Sequence, residues 1–184
     1  GRVGGRGGGA VACVGVGGVV VLERDGDHGT LQCCHARGYA VRSSPAVAHD
    51  GAVVYVGSKD KSLYAINAAD GTKKWSYATG NAVHSSPAVS HDGAVVYVGS
   101  RDKSLYAINA TDGTKKWSYA TGNEIASSPA VSHDGAVVYV GSEDESPHVF
   151  TAATAQSRWR YAAWNRERSS PAVSHDRAVG HGGS

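Results

Sequence analysis

The Ser-His-Asp triplets at residues 90–92 and 132–134 contain the three side-chain types of a serine hydrolase triad. In that chemistry the imidazole takes the serine proton, the carboxylate orients the imidazole, and the groups converge from separate parts of a fold. Here the three residues are consecutive and a glycine follows them, which is typical of a tight turn. We interpret both triplets as turns, and the sequence predicts no catalytic residue and no enzyme.

Histidines recur every 42 residues, at His49, His91, His133 and His175. Equivalent positions of a repeated unit would place these imidazoles around one rim, and imidazole is a common zinc ligand. Adjacent units are expected to keep the rings too far apart to share a metal at ligand distances of about 2 Å. The sequence therefore predicts no metal site.

The acidic stretch SEDES, at residues 142–146, contains carboxylates like those of a calcium loop. It lacks the glycine and the final bidentate glutamate of an EF-hand, and its copies SKDKS and SRDKS carry cationic side chains. We expect a solvated hairpin tip at these residues.

Composition and charge exclude several classes of function. A chain of 184 residues with 41% hydrophobic residues can bury a core. The net charge of +2 is spread along the chain and forms no basic stripe, so no nucleic-acid partner is predicted. The apolar run at residues 11–22 is short and interrupted by glycine, so no membrane span is predicted either.

The three cysteines, Cys13, Cys33 and Cys34, all lie in the first 42 residues. They cannot all pair within the chain, so no disulfide framework is predicted. Cys33 stands 42 residues before Trp75, and one base change converts a tryptophan codon to a cysteine codon. We interpret Cys33 as a decayed tryptophan.

The elements that must position all these residues belong to an internal repeat. The pentapeptide SSPAV occurs four times, 42 residues apart, from Ser43 to Ser169. Laying residues 43–84 over residues 85–126 leaves six differences in 42 positions. Such agreement indicates that a whole unit was copied.

The repeat divides the chain into units. Residues 127–168 start as another close copy and then diverge, whereas residues 1–42 keep traces of the pattern, such as GAVACVG in register with GAVVYVG. We predict a decayed first blade, two clear blades, one partly diverged blade and a partial repeat that could close the ring, at residues 1–42, 43–84, 85–126, 127–168 and 169–184.

One unit contains four short runs of strand-forming residues separated by turn-forming residues. In the first clear copy the predicted strands are residues 44–48, 52–57, 63–68 and 74–79. The second strand is apolar on both faces, so its sheet must be covered on both sides. Radial stacking achieves this, and the sequence predicts an all-β fold: a β-propeller, or a propeller segment, of about four 42-residue four-stranded blades.

The run from GAVVYVG through TKKWSYATG to the next SSPAV resembles the repeat of pyrroloquinoline-quinone (PQQ) type β-propellers. Blades of that family carry a tryptophan-docking motif, roughly Ala-x-Asp-x-x-Thr-Gly-Lys-x-x-Trp. The matching residues are Ala65, Gly71 and Trp75 in one copy, Ala107, Gly113 and Trp117 in the next, and Trp159 in residues 127–168. The resemblance implies that each tryptophan stacks between neighbouring blades over a glycine that leaves room for the indole.

The chain departs from this motif at several positions. In the first clear copy the Asp, Thr and Lys of the motif are replaced by Asn67, Asp70 and Thr72, and the second copy has the same replacements. Ala155 stands 42 residues after Gly113, where the motif has glycine. The match is therefore weakest in residues 127–168.

The resemblance extends to quinone-dependent alcohol dehydrogenases. Some of these carry a vicinal disulfide beside the quinone, which adjacent Cys33 and Cys34 bring to mind. Such enzymes need a full ring of eight blades, with calcium ligands on particular blades that differ from the others. The clear blades of this chain are nearly identical, so none is singled out to hold a site, and no cofactor is predicted.

We predict a non-catalytic scaffold that binds a protein or peptide, or a surface polymer, through its rims and loops. A fragment of a PQQ-dependent dehydrogenase and a sensor or ligand-binding segment of a larger protein stay open as alternatives. The sequence does not determine the compartment, and the family resemblance alone favours an extracytoplasmic one. A homodimer that completes an eight-bladed ring is an alternative to closure of one chain on itself.

Overall fold

The computed structural model describes residues 41–144, 146–160 and 170–173, together with the backbone of three strands nearer the N-terminus. The regular secondary structure in these parts of the chain is β-strand throughout. In chain order the strands are β1 (Ala10–Val14), β2 (Val19–Arg24), β3 (Gln32–His35), β4 (Ala46–Val47), β5 (Val53–Gly57), β6 (Ser62–Asn67), β7 (Lys73–Ala78), β8 (Ala88–Val89), β9 (Val95–Gly99), β10 (Ser104–Asn109), β11 (Lys115–Ala120), β12 (Ala130–Val131), β13 (Val137–Ser142), β14 (Ser146–Thr151) and β15 (Ser157–Arg160).

The strands form antiparallel sheets in which consecutive strands pair. We number the sheets as blades one to four: blade one has three strands (β1–β3), and blades two, three and four have four strands each (β4–β7, β8–β11 and β12–β15). This arrangement confirms the all-β fold class and the four-stranded propeller blades that the sequence predicts. The described residues include no helix with the length and apolarity needed to cross a bilayer.

The hairpin turns are closed by short-range contacts. Between β4 and β5, Gly51 has a φ of 69°, in the left-handed region that glycine adopts without strain. Asp50 Oδ1 accepts a hydrogen bond from Ala52 N at 2.9 Å in the same turn. Between β6 and β7, the Asp70 carboxylate accepts hydrogen bonds from the backbone N and the hydroxyl of Thr72. The HDG and DGT sequences therefore end strands, as expected.

The innermost strand of blade two is shorter than predicted. The sequence predicts pairing over residues 44–48, whereas β4 contains Ala46 and Val47 alone. Pro45 has no N–H to give to a sheet, and Ser44 N donates to Ser86 Oγ of the next blade at 2.8 Å. The other three strands of this blade begin and end within one residue of their predicted limits.

The hydrophobic core lies between the blades. All residues of β5 are buried, and their side chains alternate between the two faces of blade two. Tyr55 and Trp75 pack with Val96 and Ile108 of blade three in one buried cluster. A second cluster joins blades three and four in the same way. Neighbouring blades thus share a core, so each blade depends on the next for its stability.

The division of the chain into repeat units stays a prediction. Strands β1 to β3 lie within one residue of the positions 42 before β5, β6 and β7. The side chains of blade one, including Cys13, Cys33 and Cys34, lie outside the described residues. His175 also lies outside them, as does all of the proposed ring-closing segment 169–184 except residues 170–173.

Candidate functional site at the blade interfaces and the histidine rim

Trp75 links blade two to blade three. Its Nε1 donates a hydrogen bond to Ala110 O of blade three at 2.9 Å, and the residue is 8% exposed. A Cβ added to Gly113 would lie 2.7 Å from Trp75 Cδ2. The indole therefore lies directly on the backbone of the next blade, at a place where only glycine leaves room.

Trp117 meets blade four less closely. Its Nε1 donates to Ala152 O at 2.8 Å, which is the equivalent of the Trp75 bond. The position of Gly113 is taken in blade four by Ala155, which has a φ of 58° although it is not glycine. Trp117 is half-buried, whereas Trp75 is buried. Alanine adds the Cβ for which the Trp75 interface has no space, and this accounts for the looser contact.

The other residues of the docking motif support the tryptophans from within the same blade. Ala65 is fully buried and lies opposite Trp75 in the β6–β7 ladder, and Ala107 has the same relation to Trp117. Gly71 has a φ of 71°, and its N–H donates to Asn67 O at 2.9 Å. The two alanines leave room for the adjacent indoles, and Gly71 allows the turn before β7.

Trp159 differs from the other two tryptophans because it is 55% exposed. It is the one large hydrophobic side chain that is exposed in the described part of the chain. A groove of about 290 Å³ lies beside it, lined by Tyr139, His148, Val149 and Pro171. Trp159 therefore occupies the docking position on β15, but the described residues include no further blade against which its indole could pack.

A carboxylate forms a second link between blades. Asp102 Oδ2 accepts a hydrogen bond from Gly80 N of the preceding blade at 2.6 Å and another from Tyr106 OH at 2.7 Å. Burial raises the pKa of Tyr106, and its bond to Asp102 raises it further, so the phenol stays protonated as a donor. Asp144 repeats the link in blade four, where it accepts from Gly122 N at 2.9 Å.

His148 replaces the tyrosine of this link in blade four. Its Nε2 lies 2.9 Å from Asp144 Oδ2, and its side chain is 2% exposed. Burial acts to raise the pKa of Asp144, but hydrogen bonds from Gly122 N and His148 outweigh burial and hold the pKa below its ordinary value. Asp144 is therefore ionised at neutral pH and can accept these bonds.

The expectation of a solvated hairpin tip at residues 142–146 is wrong for Ser142 and Glu143. Ser142 is fully buried and Glu143 is 8% exposed. The tip packs against the preceding blade, where Glu143 N donates to Glu124 O at 2.9 Å. The polar sequence of the hairpin suggested a solvated tip. The residues that cover the tip belong to the preceding blade, about twenty positions earlier in the chain, so the hairpin sequence alone did not reveal them.

A column of serines connects the innermost strands. Ser44 N donates to Ser86 Oγ at 2.8 Å, Ser86 N donates to Ser128 Oγ at 3.0 Å, and Ser128 N donates to Ser170 Oγ at 3.0 Å. Each acceptor lies 42 residues beyond its donor. The bond to Ser170 shows that the start of a further unit lies against blade four.

The HDG turns of blades two to four form a continuous surface, and we call residues 49–51, 91–93 and 133–135 the histidine rim. The ring centroids of His49 and His91 are 6.4 Å apart, and those of His91 and His133 are 5.5 Å apart. The imidazoles are thus closer than the sequence analysis expects. Within the described residues, no group of three or more histidine, cysteine or acidic side chains could hold a metal ion.

Within the rim, the Ser-His-Asp sequence forms a turn. Ser90 Oγ donates directly to Asp92 Oδ1, which also accepts a hydrogen bond from Ala94 N. Both bonds hold the pKa of Asp92 below its ordinary value, and the bond from Ser90 has the larger effect. The ring of His91 stacks on that of His49. The interpretation of this triplet as a turn is confirmed.

Two equivalent grooves open beside the rim, one at each interface between blades two, three and four. Their volumes are about 290 Å³ and 240 Å³. Each groove has an imidazole, a carboxylate and an amine from its leading blade. These groups are His49, Asp50 and Lys74 at the first groove and His91, Asp92 and Lys116 at the second.

Sequence reasoning did not identify the carboxylate link or the serine column. The signal was present, because Asp102 and Asp144 are 42 residues apart and so are Gly80 and Gly122. Recurrence marks such residues as parts of the repeat, but it does not say which of them touch across an interface.

The chain is similar to known proteins in family and in fold. A family model described as outer membrane protein assembly factor BamB matches residues 17–180. Among solved structures, the crystal structure of BamB from Moraxella catarrhalis is similar, with a TM-score of 0.68 and 21% sequence identity over 84% of this chain. The match covers 45% of that BamB chain, so this chain spans less than half of its length. No curated protein matches the chain.

Proposed function

The chain belongs to the family described as outer membrane protein assembly factor BamB, and from this membership we propose that it is a non-catalytic scaffold that binds an extended protein segment across the histidine rim. The family is named after a protein assembly factor, and this name favours a protein as the partner. The partner itself is not carried over from BamB, because this chain spans less than half of that protein.

The observation that carries the proposal is the repetition of the same chemical groups along the rim. The site of an enzyme gathers unlike groups at one place. Here two successive blade interfaces present the same imidazole, carboxylate and amine. A partner that itself repeats along its length can use both grooves at once, whereas a small substrate would find two equal and incomplete sites.

The spacing of the rim suits a polypeptide in extended conformation. Alternate side chains of a β-strand are about 6.8 Å apart. The neighbouring rim histidines are separated by 6.4 Å and 5.5 Å, so an extended segment can place one side chain near each interface. Lys74 and Lys116 can each pair with an acidic side chain of the partner. Each groove also contains two carboxylates, those of Asp50 and Asp92 at the first and of Asp92 and Asp134 at the second, which favour basic side chains beside it.

Selection from a displayed library of short random peptides tests the proposal, with the full chain as bait. We expect selected peptides that carry basic residues together with an acidic residue at alternate positions, and their affinity can be measured by fluorescence anisotropy. His91→Ala removes the imidazole shared by both grooves, and Lys116→Ala removes the amine of one. Each should weaken binding about tenfold, or about 1.4 kcal/mol.

Lys103→Ala is the matched control. Lys103 belongs to the same blade as Lys116 but lies in the turn between β9 and β10, at the opposite end of the sheet. Its removal should leave the affinity unchanged. If no peptide is selected, or if the selected peptides bind Lys116→Ala and His91→Ala as tightly as the parent, the histidine rim is not the binding surface.

A further inference from the structure

The two clear copies of the repeat differ mainly in one place. Of the six differences between residues 43–84 and 85–126, four lie together: Lys59/Arg101, Ala82/Glu124, Val83/Ile125 and His84/Ala126. They belong to the turn between the second and third strands of a blade and to the segment just before the next SSPAV. This turn is at the end of the sheet opposite to the histidine rim. Blades that are otherwise alike therefore carry different side chains here.

The segment of residues 82–84 lies between the turns of two neighbouring blades. Its middle residue donates a backbone hydrogen bond to Ser58 O of blade two at 2.9 Å, and its first residue accepts one from Arg101 N of blade three at 3.0 Å. Lys59 follows Ser58 in the chain. Cationic residues of both blades therefore lie beside His84, the last residue of the segment.

A third cation, Arg42, comes from the residues that lead into blade two. Ser44 N donates a hydrogen bond to Ser86 Oγ at 2.8 Å. Arg42 and His84 each lie two residues before one of these serines, so the bond places them side by side. In the part of the chain that the structure describes, the charges that act on His84 are those of Arg101, Arg42, Lys59 and Glu124. We call Arg42, Lys59, His84 and Arg101 the His84 site.

The imidazole of His84 lacks a partner. Its Nε2 is buried and makes no hydrogen bond to any described residue. Burial lowers the pKa of His84 and the neighbouring cations lower it further, so the ring is neutral at neutral pH. A buried polar atom without a partner costs free energy, and so do like charges held close together. A bound anion would reduce both costs.

Glu124 compensates one of the three cations. Its Oε2 accepts a hydrogen bond from Arg101 Nε at 2.6 Å. Two positive charges then remain beside a neutral imidazole. A phosphate group carries nearly two negative charges at neutral pH and has several acceptor oxygens, and both arginine and lysine bind it well. The same cations repel metal ions, so the site provides no ligand set for calcium.

We propose that the His84 site binds a phosphate group between blades two and three. Arg42 and Lys59 pair with its oxygens, and His84 donates a hydrogen bond to it. The ring of a histidine turns readily about its Cβ–Cγ bond, so its buried nitrogen can reach the ligand. The next interface has no such site, because Ala126 stands at the position of His84 and Glu143 at that of Arg101.

An NMR titration of the full chain with inorganic phosphate, which replaces chloride at constant ionic strength, tests the proposal. We expect the ring signals of His84 to shift, and the pKa of His84 to rise because the bound anion stabilises the imidazolium. The absence of these signals in His84→Ala identifies them, and Ala126 shows that the fold accepts alanine at the equivalent position. Unchanged His84 signals would overturn the proposal, as would an equal response to acetate, which carries a single charge.

Arg42→Gln and Lys59→Gln should each raise the dissociation constant for phosphate about tenfold, since each removes a charge-assisted hydrogen bond. Lys61→Gln is the matched control, because Lys61 lies in the same turn as Lys59 but is not among the charges that act on His84. Its carbonyl accepts a hydrogen bond from Thr79 N, beyond the last strand of the blade. Equal losses in all three variants would mean a diffuse attraction of anions and no site.

Glu124→Ala should instead tighten the binding of phosphate, because it releases the guanidinium of Arg101. Ala82 is the equivalent residue of the preceding copy, so the fold accepts this substitution as well. Binding no tighter than that of the parent would show that Arg101 takes no part, contrary to the proposal.

Phenyl phosphate in place of inorganic phosphate distinguishes the two sources of the group. Equal affinity would indicate a phosphorylated ligand, and binding of inorganic phosphate alone would indicate the free ion. Either result supports the site, whereas failure of both to bind overturns it. None of its four residues belongs to the histidine rim, so that failure would leave the proposed peptide binding untouched.

Discussion

The indole of Trp75 occupies the space that a side chain on Gly113 would need, although the two residues belong to different blades. A Cβ added to Gly113 would approach three atoms of the indole to within 2.9 Å. Gly113 also has a φ of 76°, in the region that other residues rarely adopt. Glycine is therefore required both by its own turn and by the tryptophan of the preceding blade.

Gly113→Ala should lower the free energy of unfolding by about 2–4 kcal/mol, because backbone strain adds to the clash with Trp75. Gly135→Ala is a matched control: Gly135 has a φ of 69°, and a Cβ there would meet nothing within 4 Å. Its cost should be the strain alone, about 1 kcal/mol. Equal shifts of the two denaturant midpoints would show that the indole does not press on Gly113.

Ala155→Gly should stabilise the chain by about 1 kcal/mol, since it removes a non-glycine residue from a φ of 58°. It should also let Trp117 pack more deeply, which a blue shift of its fluorescence would report. Ala153→Gly, at an exposed position two residues earlier, should instead destabilise slightly through backbone entropy. A denaturant midpoint for Ala155→Gly below that of the parent would show that the backbone of Ala155 is not strained.

Trp75→Ala should cost about 3–5 kcal/mol of unfolding free energy, in the range of buried large-to-small changes. Trp117→Ala should cost less, because this tryptophan is half-buried. Both should exceed His91→Ala, which changes an exposed turn and should stay within about 0.5 kcal/mol. Chemical denaturation measures all three, and similar midpoints for Trp117→Ala and His91→Ala would refute a docking role for Trp117.

Asp144 should make the stability of the chain depend on pH in acid. Burial alone would raise its pKa, but the hydrogen bonds from Gly122 N and His148 hold it below the ordinary value. A carboxyl with a lowered folded-state pKa contributes its full stabilisation above the unfolded pKa of about 3.9 and loses it as the pH falls through the folded pKa. Between about pH 5 and pH 2, the denaturant midpoint of Asp144→Asn should therefore fall less than that of the parent. Parallel curves for the two proteins would rule this out.

Added quinone and calcium should neither bind to the chain nor activate it. The clear blades repeat one another, so no blade offers a ligand set that the others lack. Dye-linked oxidation of alcohols and glucose after reconstitution measures this, with heat-killed protein as the control. A rate above that control would favour the dehydrogenase alternative.

The fold could be predicted because the repeat gives each residue an equivalent one unit away. The alternation of Val53 and Tyr55 with Val54 and Val56 indicated two apolar faces, and those side chains do pack in clusters on opposite sides of blade two. The period of 42 residues, with turn sequences at regular intervals, then indicated four strands in each blade.

Contacts between blades could not be predicted in the same way. Gly71 and Trp75 belong to one sequence motif, yet Trp75 packs on Gly113 of the next copy. Because the copies are nearly identical, the sequence cannot tell a partner in the same unit from its equivalent in the following unit. The burial of Ser142 and Glu143 was missed for the same reason, since the residues that contact this turn, such as Gly122, whose N bonds to Asp144, belong to another unit.

The placement of Trp75 and Gly113 at opposite sides of an interface has a consequence for the evolution of the gene. Each of the two clear 42-residue segments, residues 43–84 and 85–126, encodes both halves of the contact, a tryptophan for the segment that follows and a glycine for the one that precedes. Unequal crossing-over that adds or removes a whole segment therefore creates a junction that already fits and needs no compensating substitution. Loss of the glycine in a single segment, as at Ala155, damages one junction alone and leaves the others intact. Recombination can thus change the number of segments more readily than point mutation can change the contact between them.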